Sequence, residues 1–465
     1  MDCIHLGYGN NHYKNRFLEG TVNIINHTNI QTPRISEKYQ VDSIAEFKEN
    51  LLLWAQKFDV AVWLDSNNYE QTYSNFDAVL AVGVASKIES KPQHAFTILK
   101  DYQSHIKDYI FGYLSYDLKN DIECLSSNNS DSLHFPDLFF FQPKKIFFIK
   151  GNTVEISYLH EFIPELEGDL KDIHSLRSTN LENSLASEIK IKLRIHKDEY
   201  IQKLNSILKH IHRGDIYEMN FCQEFYSENS SIDPVKVYQR LNDISKTPFA
   251  TFLKLNEAYL LSASPERYLK KDGDRVISQP IKGTEKRAED YKEDERLKKA
   301  LKNNPKEIAE NIMIVDLVRN DLSQSAIKGT VKVEELCKVH TFEQVHQLIS
   351  TIACRVKEDL HPVDIIKSTF PMGSMTGAPK ISAMKIIENI EETKRGLYSG
   401  AVGYFTPNGD FDFNVIIRSI LFNADSKYIS YSDGGAITAK SVPEKEYEEC
   451  LLKAKAMRQV LLDNH

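Results

Sequence analysis

No two cysteines in this chain are spaced as a metal or redox pair. Cys3, Cys124, Cys222, Cys337, Cys354 and Cys450 are scattered and none forms a CxxC, which argues against zinc and thioredoxin-like chemistry. Dispersed cysteines fit a reducing, cytoplasmic compartment. There is no polybasic block: acidic and basic residues are mixed and the net charge is −8, so neither nucleic acid nor an anionic membrane is expected as a partner. No apolar run has membrane-spanning length, and stretches such as Ala78–Ala85 fall far short. The opening residues MDCIHLGYGNN have neither a basic start nor an apolar core, so no secretory leader is expected there. No internal repeat is visible. What remains is a 465-residue chain with an ordinary 41% hydrophobic content, enough for one large or two medium domains.

The first part of the chain alternates short β-like runs with polar turns. Val60–Leu64, Ala78–Val84 and Lys145–Ile149 read as strands from their β-branched and aromatic content. The run SSNNSDS over Ser126–Ser132 reads as a loop. Between about Ile163 and Ser187 the pattern turns polar and irregular, which sets a linker at 163–195 between units 1–162 and 196–465. Tyr200–His212 then places Ile201, Leu204, Ile207, Leu208 and Ile211 on one helical face. Farther on, a charged helix is expected from about Asp290, restarting at Pro305, and Glu307–Asp321 is amphipathic. Near the C-terminus Ser441 and Glu444 suit a capping box with Pro443 in the first turn. Strands and helices without regular βαβ alternation predict an α+β fold.

Lys282, in Pro280-Ile281-Lys282-Gly283-Thr284, is a candidate nucleophile. Taken alone, the segment reads as a solvated lysine at a strand end. Its neighbours single it out: Ser264-Pro265-Glu266-Arg267 lies one strand upstream and a carboxylate-rich helix lies downstream. Glu310 and Glu449 each sit on a helix with a strong apolar face, and two such carboxylates converging would suit Mg²⁺. Spacing alone favours solvated surface for both, with Glu449 paired to Lys453 at i+4. Gly373–Lys380, with Ser374 and Thr376, leads into a helix and offers either an anion cradle, best matched to a carboxylate, or a plain Gly-Pro turn. His346 among apolar neighbours is more often a satisfied core residue than a catalyst. Arg418, in the β-forming run Val415–Arg418, needs a partner, which a substrate carboxylate would supply. Gly434-Gly435 would let backbone approach a ligand. Together these features equip a site for a small, multiply anionic substrate.

In this order the segments GDIYEMN, SPER, PIKGT, AENIMIVDLVRND, VHQLIST, GSMTGAPKISAM, YSGAVGY, IIRS and EYEECLLKAKA resemble the chorismate-utilising enzymes. The resemblance is dense from about His196 to Leu462. Within the family, PIKGT at Lys282 resembles the aminodeoxychorismate synthase branch, whereas anthranilate synthases resemble PIAGT. Isochorismate and salicylate synthases carry a lysine base at the position of Glu218. Glu218 also departs from the glutamine usual in the amine-forming branches, and Ala436 replaces a glycine. The resemblance implies an α+β architecture of two intertwined units, with antiparallel sheets packed face to face and helices outside.

The same matching implies roles for individual residues. Lys282 and Glu266 would be nucleophile and acid/base, with His346 near the ring hydroxyl. Glu310 and Glu449 would bind Mg²⁺. Thr284, Ser374, Thr376, Tyr398, Arg418, Gly434, Gly435 and Lys453 would line the chorismate site. Ser66, Tyr73, Ser74, Asn75, Phe76, Pro248, Phe249 and Ala250 match the family's tryptophan pocket, which is either occupied, empty, or ordinary packing between the units. The expected reaction replaces the C4 hydroxyl of chorismate with an amine. No cysteine lies in a Gly-x-Cys-x-Gly elbow, so ammonia is expected from a separate glutamine amidotransferase subunit in a heterodimer. The alternatives are anthranilate synthase component I and a non-catalytic chorismate- or tryptophan-binding regulator.

Overall fold

The computed structural model describes residues 33–69, 73–176 and 189–462. The opening segment read for a leader, with Cys3, lies outside the described residues, as does 177–188 of the expected linker. The described chain forms 20 strands and 12 α-helices, and every strand ladder is antiparallel. This is the α+β architecture expected.

The strand Val60–Asp65 shows why these segments read as apolar on both faces. Val60 and Val62 enter one buried cluster while Ala61 and Trp63 enter the other, the period-2 alternation of a strand covered on both sides. One cluster takes the apolar faces of helices Ile44–Trp54, Lys197–Arg213 and Pro234–Ser245. The other takes those of Ala95–Ile106, Pro305–Ser323 and Pro362–Thr369. Strands from the two ends of the chain interleave: Val60–Asp65 pairs with Phe249–Leu255, and Ile110–Leu114 with Ala401–Phe405. No helix among the described residues is long and apolar enough to cross a membrane.

Three local readings differ from the structure. The stretch expected as irregular linker carries a helix, Leu166–Ser175, whose Leu166 and Ile173 are buried. Leu166, Leu170 and Ile173, at i, i+4 and i+7, form the apolar face that docks it on Ile44–Trp54. The last site helix starts at Pro443 with Val442 as its cap residue, and Ser441 instead accepts the Thr438 N–H at 3.1 Å. Arg418 lies in the kink between strands Phe411–Val415 and Ser419–Asn423, at φ +52°.

Two helices position the site. Pro305–Ser323 begins where its sequence dictates: Asn304 accepts from the Lys306 and Glu307 N–H groups and Pro305 occupies the first turn. Pro443–Lys453 packs on the strand Tyr428–Thr438.

Candidate active site

Lys282 sits on the strand Ile281–Lys286, where the pairing with Val345–Arg355 shifts register between Ile281 and Thr284. Gly283 makes the shift possible. Its φ is +91°, and a Cβ there would come within 3.2 Å of the Glu307 side chain, so the position demands glycine. The half-buried Lys282 acts electrostatically on Glu218, Glu266, Glu307, Glu310 and Glu449. Five carboxylates from two helices, one strand and one turn thus lie within electrostatic reach of one amine.

Their environments separate them. Glu266 is buried and accepts a hydrogen bond from Ser374 Oγ at 2.6 Å. Burial raises its pKa to about 7, against the pull of Ser374 and Lys282, so it holds or gives a proton near neutrality. Burial likewise raises Glu310 to about 7, opposed by Lys282 and Lys306. Glu310 Oε1 is buried and has no hydrogen-bond partner. Glu449 behaves oppositely: burial disfavours its charge, yet Lys453, 2.8 Å away, prevails and holds it below the usual carboxylate range. Glu310 Oε1 and Glu449 Oε2 each lie 3.8 Å from Lys306 Nζ, so the structure brings the two together. A narrow cleft runs behind Glu266 and Ser374, lined also by Tyr268, Ser278 and Asp321.

Two cations and two glycines close the other side. Lys453 donates to the Gly434 carbonyl at 3.1 Å, and Arg418 Nη1 to the Lys453 carbonyl at 2.9 Å. Arg418 Nε also lies 3.7 Å from buried Asp433. The adjacent glycines do different work. A Cβ at Gly434 would fall 1.9 Å from the Phe221 carbonyl oxygen, whereas one at Gly435 would point between Glu446, Lys453 and Glu449 at 3.5, 3.7 and 3.9 Å. Gly434→Ala is therefore expected to destabilise the protein by about 3 kcal/mol or more. Gly435→Ala should leave the melting temperature nearly unchanged while raising the KM for a ligand bound at this site about tenfold, a loss of contact worth about 1.4 kcal/mol. Thermal melts and steady-state kinetics of the two variants check this contrast.

The other expected site residues are engaged by their protein neighbours. His346 is fully buried, with Nδ1 3.0 Å from Thr341 Oγ1 and Nε2 3.0 Å from Asp294. Both ring nitrogens are engaged, which matches a satisfied core histidine. Arg287 and then other donors, including His346, hold Asp294 well below the usual carboxylate range. The Tyr398 hydroxyl is buried against Cys222 Sγ at 3.4 Å, and Cys222 pairs with Gly434 across the sheet, so Tyr398 supports that strand. Thr376 Oγ1 bonds back to the Met372 and Gly373 carbonyls. The N–H groups of Met375 and Thr376 return to the same two carbonyls, so the loop is a closed turn paired through Gly377–Ala378 to Met219 and Glu218. Thr284 is exposed, and its hydroxyl accepts from Gln347 at 3.4 Å.

A second cleft of about 420 Å³ gathers Ser66, Ser74, Phe76, Pro248, Phe249 and Ala250. Tyr73 and Asn75 do not line it; the Tyr73 carbonyl accepts from Lys270. Asp65, Arg267 and Asp412 complete its wall, with Asp65 bound by Lys48 at 3.0 Å and Asp412 by Arg267 at 2.9 Å.

Sequence reasoning missed Lys306, Glu307, Asp433 and Glu446 as members of the first site. Glu307 and Glu446 each lie three residues before a recognised glutamate, on the same helical face. That spacing was a usable signal; Asp433 and Lys306 gave none.

A family profile of chorismate binding enzymes matches residues 59–459. A probable chloroplastic aminodeoxychorismate synthase of Oryza sativa is 36% identical over 84% of this chain and 48% of its own length. Aminodeoxychorismate synthase component 1 of Escherichia coli is 40% identical over 54% of this chain and 55% of its own. The chain thus spans about half the length of these relatives. The crystal structure of anthranilate synthase component I from Streptococcus pneumoniae superposes with a TM-score of 0.73 at 24% identity, over 84% of this chain and 93% of that one. The order of motifs, the interleaved antiparallel fold and the profile match over most of the length agree, and the chain belongs to the chorismate binding enzyme family.

Proposed function

We propose that this chain converts chorismate and ammonia into 4-amino-4-deoxychorismate, taking its ammonia from a separate glutamine amidotransferase subunit. The observation that carries the reading is the buried, neutral-range acid Glu266, held by Ser374 and within electrostatic reach of Lys282. In this reading the Lys282 amine adds at C2 of chorismate. The C4–oxygen bond breaks as Glu266 gives its proton to the departing hydroxyl, which leaves as water. Ammonia then bonds at C4 and the C2–lysine bond breaks, returning the amine. Lys453 and Arg418 supply positive charge for the substrate's carboxylates.

The donor set fits Mg²⁺. Glu310 and Glu449 offer hard carboxylate oxygens, one of them buried without a partner. Among the described residues no group of three or more His, Cys, Asp or Glu side chains is placed to hold a metal. Mg²⁺ suits two carboxylates because it keeps water and substrate oxygens for its remaining positions. When bound it would supply Lewis-acid stabilisation of charge on a substrate carboxylate.

The test is product identity by mass spectrometry after incubation with chorismate, Mg²⁺ and ammonium. Aminodeoxychorismate is expected, lost when a chelator is added and not formed from glutamine by the purified chain alone. Anthranilate as the main product would move the chain to the neighbouring branch, absence of turnover would favour the regulator reading, and glutamine-dependent turnover would remove the need for a partner.

A further inference from the structure

Lys306 is charged, faces the site and has no part in the reaction above. It is the second residue of the helix Pro305–Ser323, one turn before Glu310. Its ammonium lies 3.4 Å from Glu446 Oε1, 3.8 Å from Glu310 Oε1 and 3.8 Å from Glu449 Oε2. A lysine in the first turn of a helix is opposed by the helix dipole, so the helix itself gives no reason for a cation there. The carboxylates do. Glu446 is buried at 4% exposure and Glu310 at 9%, so water screens neither well; Glu449 already has Lys453 at 2.8 Å, and Lys306 is the cation paired with Glu446.

We propose that Lys306 is the resident counter-ion of this carboxylate group. It ties the two helices through Glu310, Glu446 and Glu449 in the metal-free protein, and gives up its place when a divalent cation binds. The proposal rests on reading Glu310 and Glu449 as Mg²⁺ ligands. The distances favour exchange over coexistence: oxygens now 3.4 to 3.8 Å from the ammonium must approach a Mg²⁺ ion to about 2.1 Å. The ammonium, in reach of all three carboxylates, occupies space that a metal ion bound by them would need. Departure is cheap because the side chain is 46% exposed, and a lysine head on a flexible stem is well hydrated once it swings into solvent. Lys306 is thus a positioning residue, acting on the acids and not on the substrate.

Calorimetric titration of Mg²⁺ into the protein without chorismate tests this, using wild type, Lys306→Met and Lys306→Arg. Lys306→Met should bind Mg²⁺ about tenfold more tightly, because a competing charge beside the ligands has gone. Lys306→Arg should stay near wild type. In chelator Lys306→Met should melt below wild type, and Mg²⁺ should restore it; Lys306→Gln replaces it in both measurements if the methionine variant aggregates. Unchanged or weaker Mg²⁺ binding by the neutral variants, with normal binding by wild type, overturns the counter-ion role alone. Failure of wild type to bind Mg²⁺ overturns the metal reading of Glu310 and Glu449 and this proposal with it.

Discussion

Lys282→Ala is expected to lower the proposed turnover of chorismate with ammonium by about 10³-fold, or about 4 kcal/mol of transition-state stabilisation. The KM for chorismate should change only a few-fold, since Lys453 and Arg418 keep their places on the opposite side, tied to Glu449 and Asp433. Lys282→Arg separates nucleophile from mere charge. Arginine keeps the positive charge among the carboxylates but cannot become a neutral amine, so it should be as slow as alanine. Intact mass of rapidly quenched wild type should show a chorismate-derived adduct, mapped to the peptide containing Lys282, and neither variant should show one. An arginine variant near the wild-type rate would falsify the covalent role and leave Lys282 as an orienting charge.

The sequence made Lys282 visible for a physical reason that the structure bears out. A proline and a glycine bracket it, and Gly283 is needed because the backbone turns to φ +91° against Glu307. The α+β class was legible from strand runs such as Val60–Leu64, whose continuous apolar character follows from burial on both faces. The convergence of Glu310 with Glu449 was not legible. Those residues stand far apart in the chain and meet only because two helices pack beside one another, and each alone reads as a solvated surface acid. His346 is legible as a buried residue. Its isolated, apolar setting pointed to a core residue, and its bonds to Thr341 and Asp294 place it as one. Arg418 was taken as a strand residue because Val415–Ile417 is β-forming. The kink at φ +52° arises from tertiary bonds, among them the Ala263 N–H donated to its carbonyl at 3.1 Å, which no local propensity encodes. The helix Leu166–Ser175 did carry a periodic signal, Leu166, Leu170 and Ile173 at i, i+4 and i+7, within a stretch that is otherwise polar.

Glu266→Gln is expected to reduce kcat with ammonium by about 10²- to 10⁴-fold, the range for loss of a positioned proton donor. The pH dependence carries more information than the loss. Burial lifts Glu266 to about 7, and the proposed step needs its protonated form. The wild-type rate should therefore fall as pH rises through about 7, approaching a tenfold drop per unit once the proton is gone. In Glu266→Gln that alkaline limb should disappear, because the carboxyl that donates the proton is gone. Ser374→Ala gives the sign independently. Ser374 donates to the carboxylate at 2.6 Å and so favours its charged form. Removing that bond should raise the pKa and move the limb toward higher pH, keeping Glu266 protonated over a wider range even if positioning suffers. Steady-state kcat/KM profiles of wild type and both variants distinguish the cases. A limb that persists in Glu266→Gln belongs to another group, and one that moves to lower pH in Ser374→Ala contradicts a proton-donating Glu266 held in check by its serine.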